Sequence, residues 1–191
     1  MMQVVLASRW FPMLEVPSVP GVAADRMVPA DVYEKPDLAR SRQVFEAALK
    51  DTVDVIAATG TSVIVFSQVP PLGLDQTQCQ TLFSWAGETV ADDRCFRLGR
   101  AEVSARAAYT DDVIRALDER ENVMAVIPQD YFCDEESCDL FDPETGEILY
   151  RDGDHLSPVG SRYLIDQVNQ RQDLVAFIQS AHQAKAAPAT Q

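Results

Sequence analysis

The chain has 191 residues, with 30 acidic and 16 basic side chains and a formal net charge of −14. This length is enough for one domain with its own apolar core. The acidic balance is opposite to the one that nucleic-acid binding requires, so a nucleic-acid partner is excluded. No run of about 18 apolar residues is present that would span a membrane.

The first half of the chain predicts two buried strands around a helix. Residues 3–8, QVVLAS, are a short apolar run typical of a parallel strand. The start of the chain, MMQVVLASRW, lacks the basic stretch and the long apolar segment of a signal peptide. Five prolines in residues 9–36 indicate a long surface loop. Apolar side chains at helical spacing predict a helix from about 36 to 59, and residues 61–70 predict a second strand.

The second half continues the alternation of helix and strand. Residues 71–99 are expected to be irregular, with a short helix around CQTLFSWAG, and a helix is predicted over about 100–120. Residues 122–128 predict a third strand, and the acidic stretch after it predicts a turn at 143–146 within a small hairpin. Ser157 as N-cap and Pro158 after it predict the start of one long helix over about 158–181.

The order of strand, helix, strand, helix, strand, helix indicates an α/β fold with a parallel sheet. We expect one domain over residues 1–182 and a disordered tail over 183–191. In such sheets, ligand sites form beyond the carboxyl ends of the strands.

The four cysteines fall into two local pairs, Cys79 with Cys95 and Cys133 with Cys138. None forms a CxxC sequence, and the chain has only two histidines, so no zinc site and no other cofactor is predicted. The pairing suggests two disulfides, which form in an oxidising compartment. Four unrelated thiols in a cytosolic protein are the alternative.

The sequence DGDH places Asp152 three residues before His155. On a tight turn the carboxylate can accept a hydrogen bond from one ring nitrogen, which leaves the other nitrogen to take a proton from a nucleophile. By itself the spacing is also compatible with a chance histidine on a surface turn. A divalent metal held by Asp152, Asp154 and His155 is a further alternative.

The stretch LYRDGDHLSPVGSRYL resembles the last conserved block of the SGNH hydrolase superfamily, in which an Asp-x-x-His pair completes a Ser-His-Asp triad. The closest similarity is to the SGNH domain at the C-terminal end of membrane O-acyltransferases that modify bacterial surface polysaccharides. In that group, a strand like VVLASRW is followed by a loop, a helix and a strand like VIVFSQVPPLG. A cysteine pair, here Cys133 and Cys138, precedes the last block. The resemblance covers residues 3–180.

The resemblance implies a flavodoxin-like three-layer sandwich, with His155 as general base and Asp152 as its orienting partner. It implies acyl, specifically acetyl, transfer to a polysaccharide hydroxyl through an acyl-serine, or hydrolysis of such an ester. The implied partners are a polysaccharide or acylated sugar and the membrane acyltransferase domain of the same protein, at the periplasmic face of the inner membrane.

Two blocks of that family are absent. No Gly-Asp-Ser occurs, and Ser8 matches the wrong strand to replace its serine, while Ser67 is expected to belong to the scaffold. SRW (8–10) stands where the family has Gly-x-Asn-Asp, so Arg9 and Trp10 are candidate oxyanion donors, although Trp10 could instead close the sheet edge. These absences and the apolar start predict the C-terminal part of a longer protein that lacks its first strands.

Three functions follow as hypotheses. The first is an acyltransferase or esterase domain whose serine lies outside the chain, with little or no esterase activity in this chain alone. The second is an inactive SGNH-like module that binds carbohydrate or a protein partner. The third is a free-standing esterase with an unrecognised serine.

Overall fold

The computed structural model describes residues 3–8, 10, 37–70 and 97–183. The strands are β1 (Gln3–Ala7), β2 (Ser62–Phe66), β3 (Arg97–Gly99), β4 (Val123–Val126) and β5 (Ser137–Asp139). The helices are α1 (Leu38–Ala57), α2 (Arg100–Arg115), α3 (Gln129–Phe132), α4 (Pro158–Gln172) and α5 (Leu174–Gln183). No helix among these residues is long and apolar enough to cross a membrane.

The three strands predicted from apolar runs form one parallel sheet in the order β1–β2–β4. β2 and β4 are buried on both faces, apart from half-buried Phe66, which explains why their sequences are continuously apolar rather than alternating. The predicted α/β class with a parallel sheet is confirmed. The expected loss of the first strands stays a prediction.

The described residues form two compact units. The sheet unit comprises the described residues of 1–68, 108–126 and 175–191, and the loop unit comprises those of 69–107 and 127–174. In the sheet unit, α1 begins at an Asp37 cap that accepts from the Arg40 main-chain N–H at 2.7 Å. Its apolar residues Phe45, Leu49 and Val53 are buried.

In the loop unit, β3 and β5 pair antiparallel, and an antiparallel bridge joins Phe141 to Ile148. Within this predicted hairpin the turn places Gly146 at φ 71°, in the left-handed region that favours glycine. Residues 97–99 are a strand and not irregular, because they pair with β5. The sequence around them does not show this pairing, since β5 lies about forty residues later in the chain. The rest of 71–96 lies outside the described residues.

The single helix predicted over 158–181 is wrong. The helix ends at Gln172, Asp173 takes a left-handed conformation at φ 50° and ψ 56°, and α5 starts at Leu174. Aspartate tolerates this conformation better than most residues. Leu174 is buried after the break, whereas Val175 is 48% exposed.

The first turn of α4 packs directly on the main chain of residues 148–149. Ser157 accepts from the Gly160 N–H at 3.0 Å and donates its hydroxyl to the Ile148 carbonyl at 2.7 Å. A Cβ on Gly160 would lie 1.9 Å from the Leu149 carbonyl oxygen, so only glycine fits.

We therefore expect Gly160→Ala to lower the free energy of unfolding by about 1–3 kcal/mol, because the added methyl group meets main-chain atoms that cannot move aside freely. Chemical denaturation of the two proteins measures the difference. The matched control is Gly99→Ala, because no atom of the described residues lies within 4 Å of a Cβ at that position. Its effect should stay within about 0.5 kcal/mol. Equal effects of the two variants would show that the contact at Gly160 is not tight.

Candidate active site

The predicted pair lies on a five-residue loop, 151–155, whose two ends are joined. Tyr150 and Leu156 form an antiparallel bridge, and the Arg151 N–H donates to the His155 carbonyl at 2.8 Å. Ser157, two residues after His155, donates its main-chain N–H to the Leu149 carbonyl at 2.8 Å. The loop therefore leaves and re-enters the fold between fixed points.

The Asp152 carboxylate organises the main chain inside this loop. Its Oδ1 accepts from the Asp154 N–H at 3.1 Å and from the His155 N–H at 2.9 Å. An aspartate that binds main-chain N–H groups two and three residues ahead holds a tight turn. Asp152 is thus part of the turn as well as a neighbour of the ring.

The same carboxylate binds the imidazole ring of His155. Nδ1 lies 2.8 Å from Oδ1 and 3.0 Å from Oδ2 of Asp152. Hydrogen bonds lower the pKa of Asp152 to about 2: the largest effect comes from the Asp154 main chain, followed by the ring and the main chain of His155 and by the Asp154 side chain.

Because the Asp152 carboxylate is ionised at neutral pH, it can only accept hydrogen bonds. The proton of a neutral His155 ring therefore lies on Nδ1, and Nε2 carries the free lone pair. The His155 side chain is 66% exposed, and no described residue forms a hydrogen bond with Nε2. The arrangement can accept a proton at Nε2.

A second carboxylate lies beside the same ring nitrogen. Oδ1 of Asp154 is 3.2 Å from His155 Nδ1, and the Asp154 side chain is 17% exposed, against 48% for Asp152. The sequence predicted Asp152, and not Asp154, as the residue that orients the ring. The side chain of a residue next to histidine reaches the ring only in particular turns. The presence of an acidic residue at position 154 was therefore the only sign in the sequence that a second carboxylate contacts the ring.

The three side chains of the metal alternative offer ligand atoms within 4.8 Å of one another. The imidazole atom nearest both carboxylates is Nδ1, and the ionised Asp152 requires this nitrogen to be the protonated one in a neutral ring. A cation at this place would have to displace that hydrogen bond. The geometry therefore fits an oriented imidazole better than a metal centre.

Buried aromatic rings support the loop from within the loop unit. Tyr150, at the base of the loop, is 1% exposed, and its ring centroid lies 5.9 Å from that of Phe132. Phe132 also packs against Tyr163 of α4 at 5.6 Å. Burial, together with the negative charge of Asp139, raises the pKa of Tyr150, so this residue stays neutral.

One of the two predicted cysteine pairs forms a disulfide next to these aromatic rings. A disulfide links Cys133 and Cys138, and Cys133 directly follows Phe132 in the chain. The guanidinium of Arg100 donates to the carbonyls of Cys133 at 3.3 Å and Asp134 at 2.8 Å. The other predicted pair, Cys79 and Cys95, lies outside the described residues.

The candidate oxyanion donors belong to the N-terminal strand region. The indole N–H of Trp10 donates to the Phe66 carbonyl at 3.1 Å, and its ring packs on Phe45 at 5.3 Å. This single donor is therefore engaged by the main chain of β2. Arg9 lies outside the described residues.

The two serines weighed as nucleophiles differ in their surroundings. Ser8 follows β1 and is exposed. Ser67 follows β2, is 5% exposed and donates a short hydrogen bond to the carboxylate of Asp111, itself 4% exposed. Both lie in the sheet unit, and the pair of Asp152 and His155 lies in the loop unit.

Comparison with known protein families matches residues 2–170 to the family described as SGNH domain (fused to AT3 domains). Comparisons with curated proteins and with solved structures gave no match. The matched range covers most of the chain and includes the loop with Asp152 and His155. The chain therefore belongs to the family of SGNH domains that are fused to AT3 domains.

Proposed function

We propose that this domain takes part in the transfer of an acyl group, specifically acetyl, to hydroxyl groups of bacterial cell-surface polysaccharide, or in the hydrolysis of the resulting ester. His155 is the general base and Asp152 is its orienting partner. The observation that carries the proposal is the contact of both Asp152 oxygens with Nδ1, on a ring whose Nε2 has no hydrogen-bond partner among the described residues. Membership of a family fused to AT3 acyltransferase domains supports it.

The proposed proton transfer uses the two ring nitrogens differently. Nε2 of His155 removes the proton of an attacking hydroxyl while that oxygen bonds to the acyl carbonyl carbon. The imidazolium then returns the proton to the leaving oxygen as the bond between this oxygen and the carbonyl carbon breaks. Nδ1 keeps its proton throughout, and the Asp152 carboxylate stabilises the positive ring between the two steps.

The proposed nucleophile is a serine hydroxyl, which forms an acyl-serine that a sugar hydroxyl then attacks. The sequence holds no Gly-Asp-Ser, Ser8 follows the wrong strand for this role, and Ser67 is buried against Asp111; these observations support a serine outside the chain. We place the serine outside the chain. The AT3 domain would be the membrane partner that delivers the acyl group at the periplasmic face of the inner membrane.

The rival function is a catalytically inactive module that binds polysaccharide or a protein partner. The absence of Gly-Asp-Ser and Gly-x-Asn-Asp from the sequence favours it. In that case Asp152 serves only to hold the turn of residues 151–155. The two functions predict different rates of polysaccharide acylation for a variant that lacks the imidazole and keeps the turn.

We expect His155→Ala, introduced into the encoded protein in its source cells, to lower the rate of polysaccharide acylation by about 10²–10⁴-fold, because the general base is lost. Ester content of the purified polysaccharide, measured by proton NMR, is the readout. His182→Ala is the control, because the second histidine of the chain lies outside the matched residues 2–170. It should leave the ester content unchanged. Wild-type ester content in His155→Ala cells would favour the inactive module.

The lowered pKa of Asp152 predicts a pH dependence of stability. Its folded pKa is about 2, below the ordinary value of about 3.9. The ionised carboxylate therefore adds stability above about pH 4, and this contribution is lost as the pH falls from about 4 to about 2.

Acid titration of the chain, followed by circular dichroism, tests this window. Asp152→Asn should be less stable than wild type at neutral pH, and the difference should disappear toward pH 2. Asp51→Asn, which removes an exposed carboxylate of α1, is the control for loss of one charge. A difference between wild type and Asp152→Asn that persists at pH 2 would contradict the assignment.

A further inference from the structure

We propose that Asp154 is a second positioning residue for His155, acting on the same ring nitrogen as Asp152. A role for Asp154 in catalysis rests on the proposed function, in which His155 is the general base. The orientation of the ring, however, can be tested without any measurement of activity.

The charge environment of the His155 ring is one-sided. Among the described residues, the charged groups within ion-pair distance of the His155 ring are the carboxylates of Asp152 and Asp154. Both lie on the Nδ1 side, at 2.8 Å and 3.2 Å. A proton on Nδ1 is therefore favoured by two negative groups rather than one.

The carboxylates of Asp152 and Asp154 differ in their contacts with the main chain of the turn. Oδ1 of Asp152 accepts from two main-chain N–H groups in addition to the ring, so its charge is shared with the turn. These two N–H groups, of Asp154 and His155, donate to Asp152 and not to Asp154. With 17% of its side chain exposed, Asp154 is screened by water less than Asp152, and its interaction with the ring is weakened less.

The two carboxylates also interact differently with the charged and the neutral form of the ring. Two carboxylates close to one another repel, and a positive group beside both offsets that repulsion. Imidazolium supplies a full positive charge at this place, whereas the neutral ring supplies only an N–H dipole. Asp154 therefore stabilises the form that His155 takes after it has removed a proton, and it acts through the ring without contacting the substrate.

The test is nitrogen-15 NMR of the histidine side chains in the chain, where His155 and His182 are the only two histidines. Spectra are recorded at rising alkaline pH until the nitrogen shifts no longer change, so that the neutral rings are observed. The Nδ1–H and Nε2–H tautomers give different nitrogen shifts, and His155→Ala assigns the signals. His182 serves as an internal reference.

We expect Asp154→Asn to lower the ratio of Nδ1–H to Nε2–H tautomer in His155 by about two- to fivefold, the range of an exposed ion pair. Asp152→Asn should keep part of the Nδ1–H population, because asparagine preserves the turn and Asp154 remains. The double variant should lose that remainder. Asp166→Asn, which removes an exposed carboxylate of α4, is the control and should leave the ratio unchanged.

An Asp154→Asn spectrum identical to wild type, with Asp152→Asn identical to the double variant, would overturn the proposal. If Asp154→Asn does not fold, Asp154→Ser is used, and the same fall in the ratio is expected. A tautomer shift together with normal acylation by His155→Ala cells would refute the proposed function and leave the positioning role intact. Loss of acylation in His155→Ala cells, with no tautomer shift in Asp154→Asn, would support the proposed function and refute the positioning role of Asp154.

Discussion

The candidate site depends on the close contact between the first turn of α4 and the main chain of residues 148–149. Two hydrogen bonds from Ser157, to the carbonyls of Ile148 and Leu149, fix the end of the loop that carries His155. The missing Cβ of Gly160 allows the helix to approach this closely. Because both ends of loop 151–155 are fixed, five residues suffice to hold a carboxylate against an imidazole ring on an exposed surface.

A single carboxylate couples the folding of this loop to the chemistry of the ring. Asp152 closes the turn through two main-chain N–H groups and also binds Nδ1 of His155. The turn therefore forms in the conformation that sets the tautomer, and no separate ordering of the ring is needed. The low pKa of Asp152 keeps this arrangement ionised over the whole physiological range.

Much of this was predictable from local sequence. The apolar runs of β2 and β4, the cap at Ser157 and the spacing of Asp152 and His155 are each determined by neighbours a few residues away. The pairing of Cys133 with Cys138 is equally local. Such features need only short-range chemistry, which is written directly in the sequence.

What could not be predicted depends on long-range pairing or on a single dihedral angle. The strand β3 exists because of β5, and the short helix α3 carries no periodic pattern at four residues. The break at Asp173 leaves the apolar spacing on either side in helical register, so the periodicity continues across it. The approach of Asp154 to Nδ1 follows from the turn geometry, and one sequence alone does not specify that geometry.

The measurement that tests the central claim most directly is chemical rescue of His155→Gly in membranes from the source cells. Acyl transfer to polysaccharide is measured with and without added imidazole, which can enter the space left by the side chain. If His155 is the general base, activity falls in the variant and imidazole restores part of it. Acyl transfer at the wild-type rate in His155→Gly without imidazole would contradict the account, because the proton would then be removed by another group.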